Sequence, residues 1–367
     1  MKIGILGTRG IPNHYGGFEQ FTEFFAVYLA EKGYDVYVYS SSLHKYQEET
    51  FKGVKLIHCY DPEDKVGTFG QFIYDFNCIV DSRKRNFDVL LQLGYTSNTI
   101  WHWLLPKKSV IISNMDGLEW KRSKYSAPVR KFLKYAEKLA VISSDYLIAD
   151  SIGIQNYLLK EYDASSEYIA YGAELFKTPN EEILDLYKVQ KHNYNMLIAR
   201  FEPENNLETI LDGVASAATK TPFLVVGKHN VNKFGAYLKK KYAEIDHIRF
   251  TGGIYNLEHL NNLRYFSNLY FHGHSVGGTN PSLLEAMASK VMMIAHNNEF
   301  TKSILGDDAF YFSSADDVKE HIDCTKKEDH LDKIENCYKK IEHSFQWEMI
   351  NKKYLDFLDE CFKKHQK

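Results

Sequence analysis

Two doubly wound α/β halves are what this sequence predicts, and three observations predict them. Short apolar runs alternate with amphipathic ones from Lys2 to Ala149, the pattern of a parallel sheet covered by helices on both faces. The alternation stops in a polar stretch, Ala173–Glu182, and begins again at Asn195. A chain of 367 residues also exceeds what one ordinary core organises, so two domains are expected.

The elements follow in order. Lys2–Gly7 reads as a strand, followed by a glycine-bearing loop and an amphipathic helix from about Phe18 to Lys32. Tyr34–Ser40 and Val54–Cys59 read as strands, Phe72–Arg83 as a helix, and Asp88–Gln92 and Val110–Ser113 as strands. A helix over Val129–Val141 and a strand over Tyr146–Ala149 complete the first half, and Asp150-Ser151 at the end of that strand suits a helix N-cap. In the second half Asn195–Ala199, Phe223–Val226, Ile248–Phe250, Leu269–Phe271 and Val291–Ala295 are strands with helical stretches between them. Pro281 opens a helix through Ala288, and an amphipathic helix runs from Phe345 through Phe362.

Composition narrows the function class. Hydrophobic content of 44% and charged content of 25% fit a globular domain, and a net charge of -3 gives no global reason to expect nucleic acid. Five cysteines are odd in number and scattered, without C-x-x-C spacing, which argues for a reducing compartment and against a zinc site or disulfide framework. Met1 runs directly into a strand rather than a signal peptide, and no apolar run is long enough to span a bilayer. The expectation is a cytoplasmic protein. The aromatic content, 14%, lies largely on amphipathic helices and reads as core.

The most informative segment is His272 to Ala288, which contains Gly277, Gly278, Thr279, Asn280, Pro281 and Glu285. A strand, a glycine loop and a helix N-terminus make an anion site, because backbone N–H groups and the positive dipole end face one point. Glu285, one turn into the helix, would repel phosphate but can accept hydrogen bonds from sugar hydroxyls. Diphosphate beside a polyol describes a nucleotide sugar.

Other strand ends supply further candidates. Arg200 leaves the first strand of the second half, where open α/β folds bind ligands, and its fork of donors suits a phosphate better than pairing to Glu202 or Glu204. Lys228 is a second cation, with a solvated loop lysine as the competing reading. Thr251–Tyr255 reads as a base pocket or as a tight turn. In the first half, Gly16 and Gly17 stand immediately before a helix, in a loop that also holds Arg9 and His14. That loop reads as a phosphate contact or as turn residues only. It lacks G-x-G-x-x-G spacing, and no acid ends the second strand, which disfavours a nicotinamide dehydrogenase. Asp116, Glu119 and Trp120 leave another strand end. Asp116 before a glycine fits a turn, whereas turns do not need Glu119 or Trp120.

Residues 121–140 carry seven basic residues against one acid, with apolar residues at helical spacing on the other face. Such a helix can lie on anionic lipid, each cation adding about 1 kcal/mol, or can be a solvated face of a domain. No D-x-D element, H-E-x-x-H, P-loop or G-x-S-x-G is present, so phosphate charge falls to N–H groups and side-chain cations. No metal or other cofactor is expected.

Taken together, Gly16–Gly17, Arg200 and Glu285-Ala-Met-Ala resemble family 4 of the glycosyltransferases, of GT-B fold. The runs Asn114–Arg122, Ala199–Asn206 and Val276–Ala286 resemble its bacterial rhamnosyltransferase-like branch, whose usual setting is polysaccharide assembly. The resemblance implies an acceptor-side domain over 1–173 and a nucleotide-sugar domain over 174–344 facing a central cleft. It implies that 345–367 crosses back to the first domain. It further implies a retaining, metal-independent enzyme in which Glu285 holds the ribose, and Arg200 and Gly278–Asn280 hold the diphosphate with Gly16–Gly17. Three positions depart from the wider family: Gly277 replaces a glutamate that touches the donor sugar, Asn205 a lysine, and Met115 a histidine.

The expected reaction is hexosyl transfer, with Arg200 stabilising the departing diphosphate and Asp116 as base or acceptor-positioning group. Arg9, His14, Glu119 and Trp120 are placed on the acceptor side. The expected donor is dTDP-L-rhamnose and the acceptor a saccharide or lipid-linked saccharide at the inner face of the membrane. A UDP- or GDP-hexose donor, a nucleotide-sugar epimerase of the same fold and a non-catalytic sugar-nucleotide binding module are the rival readings.

Overall fold

A computed structural model describes every residue except Tyr15, in the first glycine loop, Ser123, in the basic run, and Lys367. It divides into two compact units. One comprises Met1–Lys121, Tyr125–Gly172 and Trp347–Lys367, and the other Arg122–Lys124 and Ala173–Gln346.

The first unit begins with β1 (Lys2–Leu6), α1 (Gly17–Glu31), β2 (Asp35–Ser41), β3 (Thr50–Phe51) and β4 (Val54–Cys59). It continues through α2 (Glu63–Val66), α3 (Gly70–Ser82), β5 (Val89–Leu93) and β6 (Val110–Asn114). Next come α4 (Ala127–Ser143), β7 (Tyr146–Ala149), α5 (Ile152–Tyr162) and β8 (Glu167–Tyr168). The strands lie in the order β3-β4-β2-β1-β5-β6-β7-β8, with only β3 antiparallel to its neighbour. β5 and β6 are buried along their whole length, which is why both are apolar runs rather than alternating ones. Ser151 caps α5 by accepting from the Ile154 N–H at 3.2 Å, as its sequence position suggests.

The second unit carries β9 (Asn195–Ile198), α6 (Leu207–Ser216), β10 (Phe223–Val226), α7 (Lys233–Lys241), β11 (Ile248–Gly252) and α8 (Leu257–Phe266). After these come β12 (Tyr270–His272), α9 (Pro281–Ala288), β13 (Met293–His296), α10 (Glu299–Leu305), β14 (Phe310–Phe312), α11 (Ala315–Cys324) and α12 (Leu331–Lys340). Its parallel sheet runs β11-β10-β9-β12-β13-β14. Leu197, Val225, Phe271 and Phe312 line one continuous core with Leu207, Leu211 and Val214 of α6.

The last helix, α13 (Trp347–His365), returns to the first unit. Trp347 stacks on Phe24 of α1 at 4.6 Å, and Tyr354 lies 4.6 Å from Phe21. Aromatic pairs of this kind are worth about 0.5–1.5 kcal/mol each beyond area burial. Gly172 makes the close approach possible, since a Cβ there would come within 2.5 Å of the Trp347 ring. Among the described residues, no helix is long and apolar enough to cross a membrane.

In each sheet the order reverses beside the first strand of the unit. β1 lies between β2 and β5, and β9 between β10 and β12. Successive connections leave to opposite sides there, which opens a crevice at the carboxyl ends of the strands.

Candidate active site

In the second unit that crevice is flanked by the loop after β9, which carries Arg200, and the loop after β12, which carries Gly277–Asn280. Backbone contacts lock the two together. Asn206 Nδ2 donates to the Gly273 carbonyl at 2.8 Å, and the Ser275 hydroxyl donates to the Glu204 carbonyl at 2.7 Å. A Cβ on Gly273 would come within 2.1 Å of the Asn205 oxygen, so the approach requires glycine. Asn205, where the resemblance implies a lysine, closes the Arg200 loop by donating to the Arg200 carbonyl at 2.8 Å. Arg200 itself is exposed, and among the described residues no ion pair joins it to Glu202 or Glu204.

The helix N-terminus differs from the sequence expectation. Pro281 has no N–H to offer. Asn280 caps α9 by accepting from the Ser282 N–H at 2.9 Å, and its carbonyl takes the Leu283 and Leu284 N–H groups. The cap therefore occupies the first turn, and backbone donors for an anion have to come from the loop through Gly277, Gly278 and Thr279. The dipole still favours negative charge at that end. Gly277 has φ +131 with no atom within 4 Å of a would-be Cβ, so backbone conformation and not crowding calls for glycine.

Glu285 is oriented by a residue that sequence reasoning missed. Arg264 of α8, 1% exposed, donates to the Glu285 carboxylate at 2.7 Å and to Asn261 at 3.0 Å. Nothing in the local sequence marks Arg264, because an arginine on an amphipathic helix normally faces water. His272 and His274 were also missed. Their rings stack at 4.4 Å, and neither His272 nitrogen has a hydrogen-bond partner. Burial, aided by the Arg200 and Arg122 charges, pushes His274 down to about 3, so its imidazole is neutral. Arg122 thus belongs beside the second unit's glycine loop and not to the basic helix. Lys228, in the loop after β10, is exposed, with its ammonium 5.1 Å from the Tyr255 ring centre.

In the first unit the crevice lies between the loop after β1 and the loop after β5. A Cβ on Gly7, at φ +89, would come within 2.2 Å of the Leu93 carbonyl oxygen, so the crossing of the two loops requires glycine. Gly16 and Gly17 open α1 with no side-chain cap. Arg9 forms a two-pronged pair with Glu63, and His14 stacks on His44 at 5.3 Å. Asp116 is half-buried at φ +42. Its N–H is held by Asn114 Oδ1 at 2.9 Å, and Asn114 is held by Tyr354 of α13 at 2.8 Å. The returning helix therefore sets the turn that carries Asp116.

Trp120 is placed differently from the acceptor-side expectation. Its indole N–H donates to Glu137 at 3.1 Å, beside the Lys134 ammonium. Glu137, 1% exposed, also accepts from Lys134, Tyr157, Tyr162 and Tyr95. Trp120 and Lys134, both half-buried, thus belong to a polar cluster around the buried Glu137, while Glu119 lies half-buried beside it with its N–H on the Tyr95 hydroxyl at 3.1 Å.

Residues 181–343 match the family described as Glycosyl transferases group 1, and residues 1–174 match a domain of unknown function, DUF1972. An uncharacterized glycosyltransferase of Methanocaldococcus jannaschii is 23% identical over 96% of this chain and 97% of its own length. Sucrose-phosphate synthase from Thermosynechococcus elongatus superposes with a TM-score of 0.80 at 14% identity, covering 99% of each chain. Anabaena HepE, solved with UDP and glucose, superposes with a TM-score of 0.74 at 15% identity, over 98% of this chain and 100% of that one. The fold is GT-B, and residues 181–343 form a glycosyltransferase domain.

One further acid in the first unit, Asp75 of α3, is buried and accepts from the Ser97 hydroxyl at 2.5 Å. Burial pushes its carboxyl up to about 7, against the Ser97 hydrogen bond, with Asp61 adding repulsion and Arg9 attraction. An acid whose folded pKa is raised holds its proton more tightly when folded. Its contribution to stability therefore falls as pH rises from about 4 towards 7 and stays low above that. Asp75→Asn keeps an acceptor for Ser97 and removes the titration. Relative to that variant, the parent chain should lose on the order of 4 kcal/mol between these limits. Melting temperatures measured across the range check this, and parallel curves for the two proteins would exclude it. Among the described residues no group of three or more His, Cys, Asp or Glu could hold a metal ion.

Proposed function

We propose that this enzyme is a retaining rhamnosyltransferase that uses dTDP-L-rhamnose and a lipid-linked saccharide acceptor in bacterial polysaccharide assembly. The observation that carries the nucleotide-sugar reading is the crevice between β9 and β12. There Arg200 and the Gly277–Thr279 loop are held together, and Glu285 is fixed beside them by Arg264. A diphosphate fits the guanidinium and loop N–H groups, and a ribose hydroxyl fits the carboxylate. Arg200 would supply about 1.5–3 kcal/mol through charge-assisted hydrogen bonds.

In the reaction, the bond from the sugar's anomeric carbon to the β-phosphate oxygen breaks, and the acceptor oxygen bonds to that carbon on the same face. The acceptor proton passes to a phosphate oxygen of the leaving group. Stabilising that group's growing charge is the largest requirement, and it falls to Arg200, the loop N–H groups and Lys228 without a metal. On the first unit Asp116 would orient the acceptor hydroxyl, with Arg9, His14 and Glu119 as acceptor-side residues. The rhamnose reading is supported by the sugar side of the site. Gly277 stands where the resemblance implies a glutamate on the donor sugar, and open space adjoins it. A 6-deoxy sugar leaves fewer hydroxyls unpaired in such a site. HepE, solved with UDP and glucose, favours a UDP-hexose as the second reading.

Incubation with dTDP-L-rhamnose, UDP-hexoses and GDP-hexoses, each with membrane glycolipid and excess EDTA, tests the proposal. Transfer from dTDP-L-rhamnose alone, undiminished by EDTA, is the expected result. Transfer only from a UDP- or GDP-hexose would remove the rhamnose assignment, and sugar interconversion without an acceptor would replace transfer by epimerisation. Loss of activity on chelation would overturn the metal-free mechanism.

A further inference from the structure

The first unit carries an exposed aromatic ridge that its core does not use. Residues 64–69, leading from α2 into α3, are all exposed, with Val66 49% and Phe69 64% accessible. Phe69 stacks on Phe72 at 5.9 Å, and Phe72 lies 5.7 Å from Phe132 of α4. Trp101, whose N–H donates to the Phe72 carbonyl, lies 5.8 Å from Trp103, itself 62% exposed. These ring contacts and the Trp101 hydrogen bond join three separate parts of the chain at the surface. Isolated exposed apolar residues need no explanation, but a contiguous aromatic patch of this kind marks an interaction surface.

The charge around the ridge selects the partner. Val129 is exposed one turn before Phe132, and Arg130 and Lys131 stand between them. Lys131, Tyr135, Lys138 and Ile142 are exposed at spacings of four, three and four, which puts them on one stripe of α4. The single acid of α4, Glu137, is buried against Lys134 and three hydroxyls, so the helix presents cations with no exposed carboxylate. On the neighbouring loop Asp64 is exposed beside Lys65, and Glu63 is paired to Arg9. Aromatic rings flanked by lysine and arginine match the interfacial layer of an anionic bilayer: the rings enter the headgroup boundary while the cations face phosphates.

We infer that the ridge of Phe69, Phe72, Trp103 and Phe132, with the basic stripe of α4, docks this enzyme on an anionic phospholipid surface. The choice of occupant rests on the reading of a lipid-linked acceptor; the binding itself needs neither donor nor acceptor. Neither part is sufficient alone, since one weak hydrophobic signal or a few cations hold a protein only marginally and the two together hold it stably.

Co-sedimentation of the full chain with vesicles tests the inference. The protein should bind phosphatidylglycerol-containing vesicles, release in high salt and leave phosphatidylcholine vesicles unbound. Phe69→Ser with Trp103→Ser should weaken binding by about tenfold or more, and so should Arg130→Gln with Lys131→Gln and Lys138→Gln. Circular dichroism establishes that each variant is folded. Brominated lipid should quench the fluorescence of the parent chain more than that of Trp103→Phe. Equal binding by all variants, or unchanged quenching in Trp103→Phe, would overturn the docking surface. Concentration-dependent self-association abolished by Phe69→Ser, with no vesicle binding, would assign the ridge to a second copy instead. Transfer to a water-soluble acceptor is measured separately, so failure here leaves the proposed reaction standing.

Discussion

Glu285→Ala is expected to cost the second unit about 3–5 kcal/mol and to abolish stabilisation by nucleoside diphosphates. The magnitude follows from Arg264, which is 1% exposed and has the Glu285 carboxylate as its ionic partner at 2.7 Å. Removing one member of a buried ion pair strands the other charge away from water, which is far worse than never having buried it. For a unit of this size the corresponding fall in melting temperature is roughly 10 °C or more. Two companion variants separate stability from binding. Glu285→Gln retains an oxygen for the guanidinium and should cost less. Glu285→Ala with Arg264→Met removes both charges and restores packing, so it should recover much of the stability while still failing to bind nucleotide. Thermal unfolding with and without nucleoside diphosphate reads both effects. A single variant that melts with the parent chain would dissolve the positioning role of Arg264, and a double variant still stabilised by nucleotide would remove Glu285 from the site.

Glu137→Ala should destabilise the first unit by a similar amount, about 3–5 kcal/mol. Its carboxylate accepts from Tyr157 at 2.6 Å, Tyr162 at 2.7 Å, Trp120 at 3.1 Å, Lys134 at 3.1 Å and Tyr95 at 3.3 Å. Deleting it leaves Tyr157, Tyr162 and Trp120 without this acceptor in a half-buried cluster, while Lys134 keeps Glu161 at 2.9 Å and Tyr95 keeps the Gly117 carbonyl, and each orphaned donor adds its own desolvation cost. Urea denaturation should show a lower midpoint with an unchanged slope. The emission of Trp120 should change with it, because that indole loses both its acceptor and its rigid surroundings. Stability within about 0.5 kcal/mol of the parent chain would mean that the cluster is solvated and that Trp120 is available to an acceptor after all.

The two variants bear on how the site was built. Residues read from the sequence as ligands divide into those left facing the crevices and those drawn into the framework. Arg200 is exposed at its strand end, and Gly277 keeps open space beside it. Trp120 and Arg9 are tied to Glu137 and Glu63, and Asn280 serves as a helix cap. All were plausible ligands because a polar residue at the carboxyl end of a strand looks the same in one dimension whichever partner it finds. Which partner is nearest depends on residues tens of positions away, such as Glu63 for Arg9.

What the sequence determined by itself is the periodic part. Val54–Cys59, Tyr146–Ala149, Phe223–Val226 and Pro281–Ala288 appear as read, because largely apolar short runs and a proline-opened helix are local signals. The two-residue strands β3 and β8 and the edge strand β14 were not read, since pairing with a neighbour and not pattern defines them. β12 ends one residue later than its apolar run suggests, because its pairing with β13 extends to His272. The final helix was legible as a helix, but only packing of Trp347 and Tyr354 on α1 fixes it to the first unit and so holds Asn114 and the turn of Asp116. Likewise Arg264, one polar residue on an amphipathic helix, becomes a buried charge only because α9 brings Glu285 to meet it. Periodicity records which face of an element is buried. It carries no record of which element covers that face, and the partners that orient a site are chosen there.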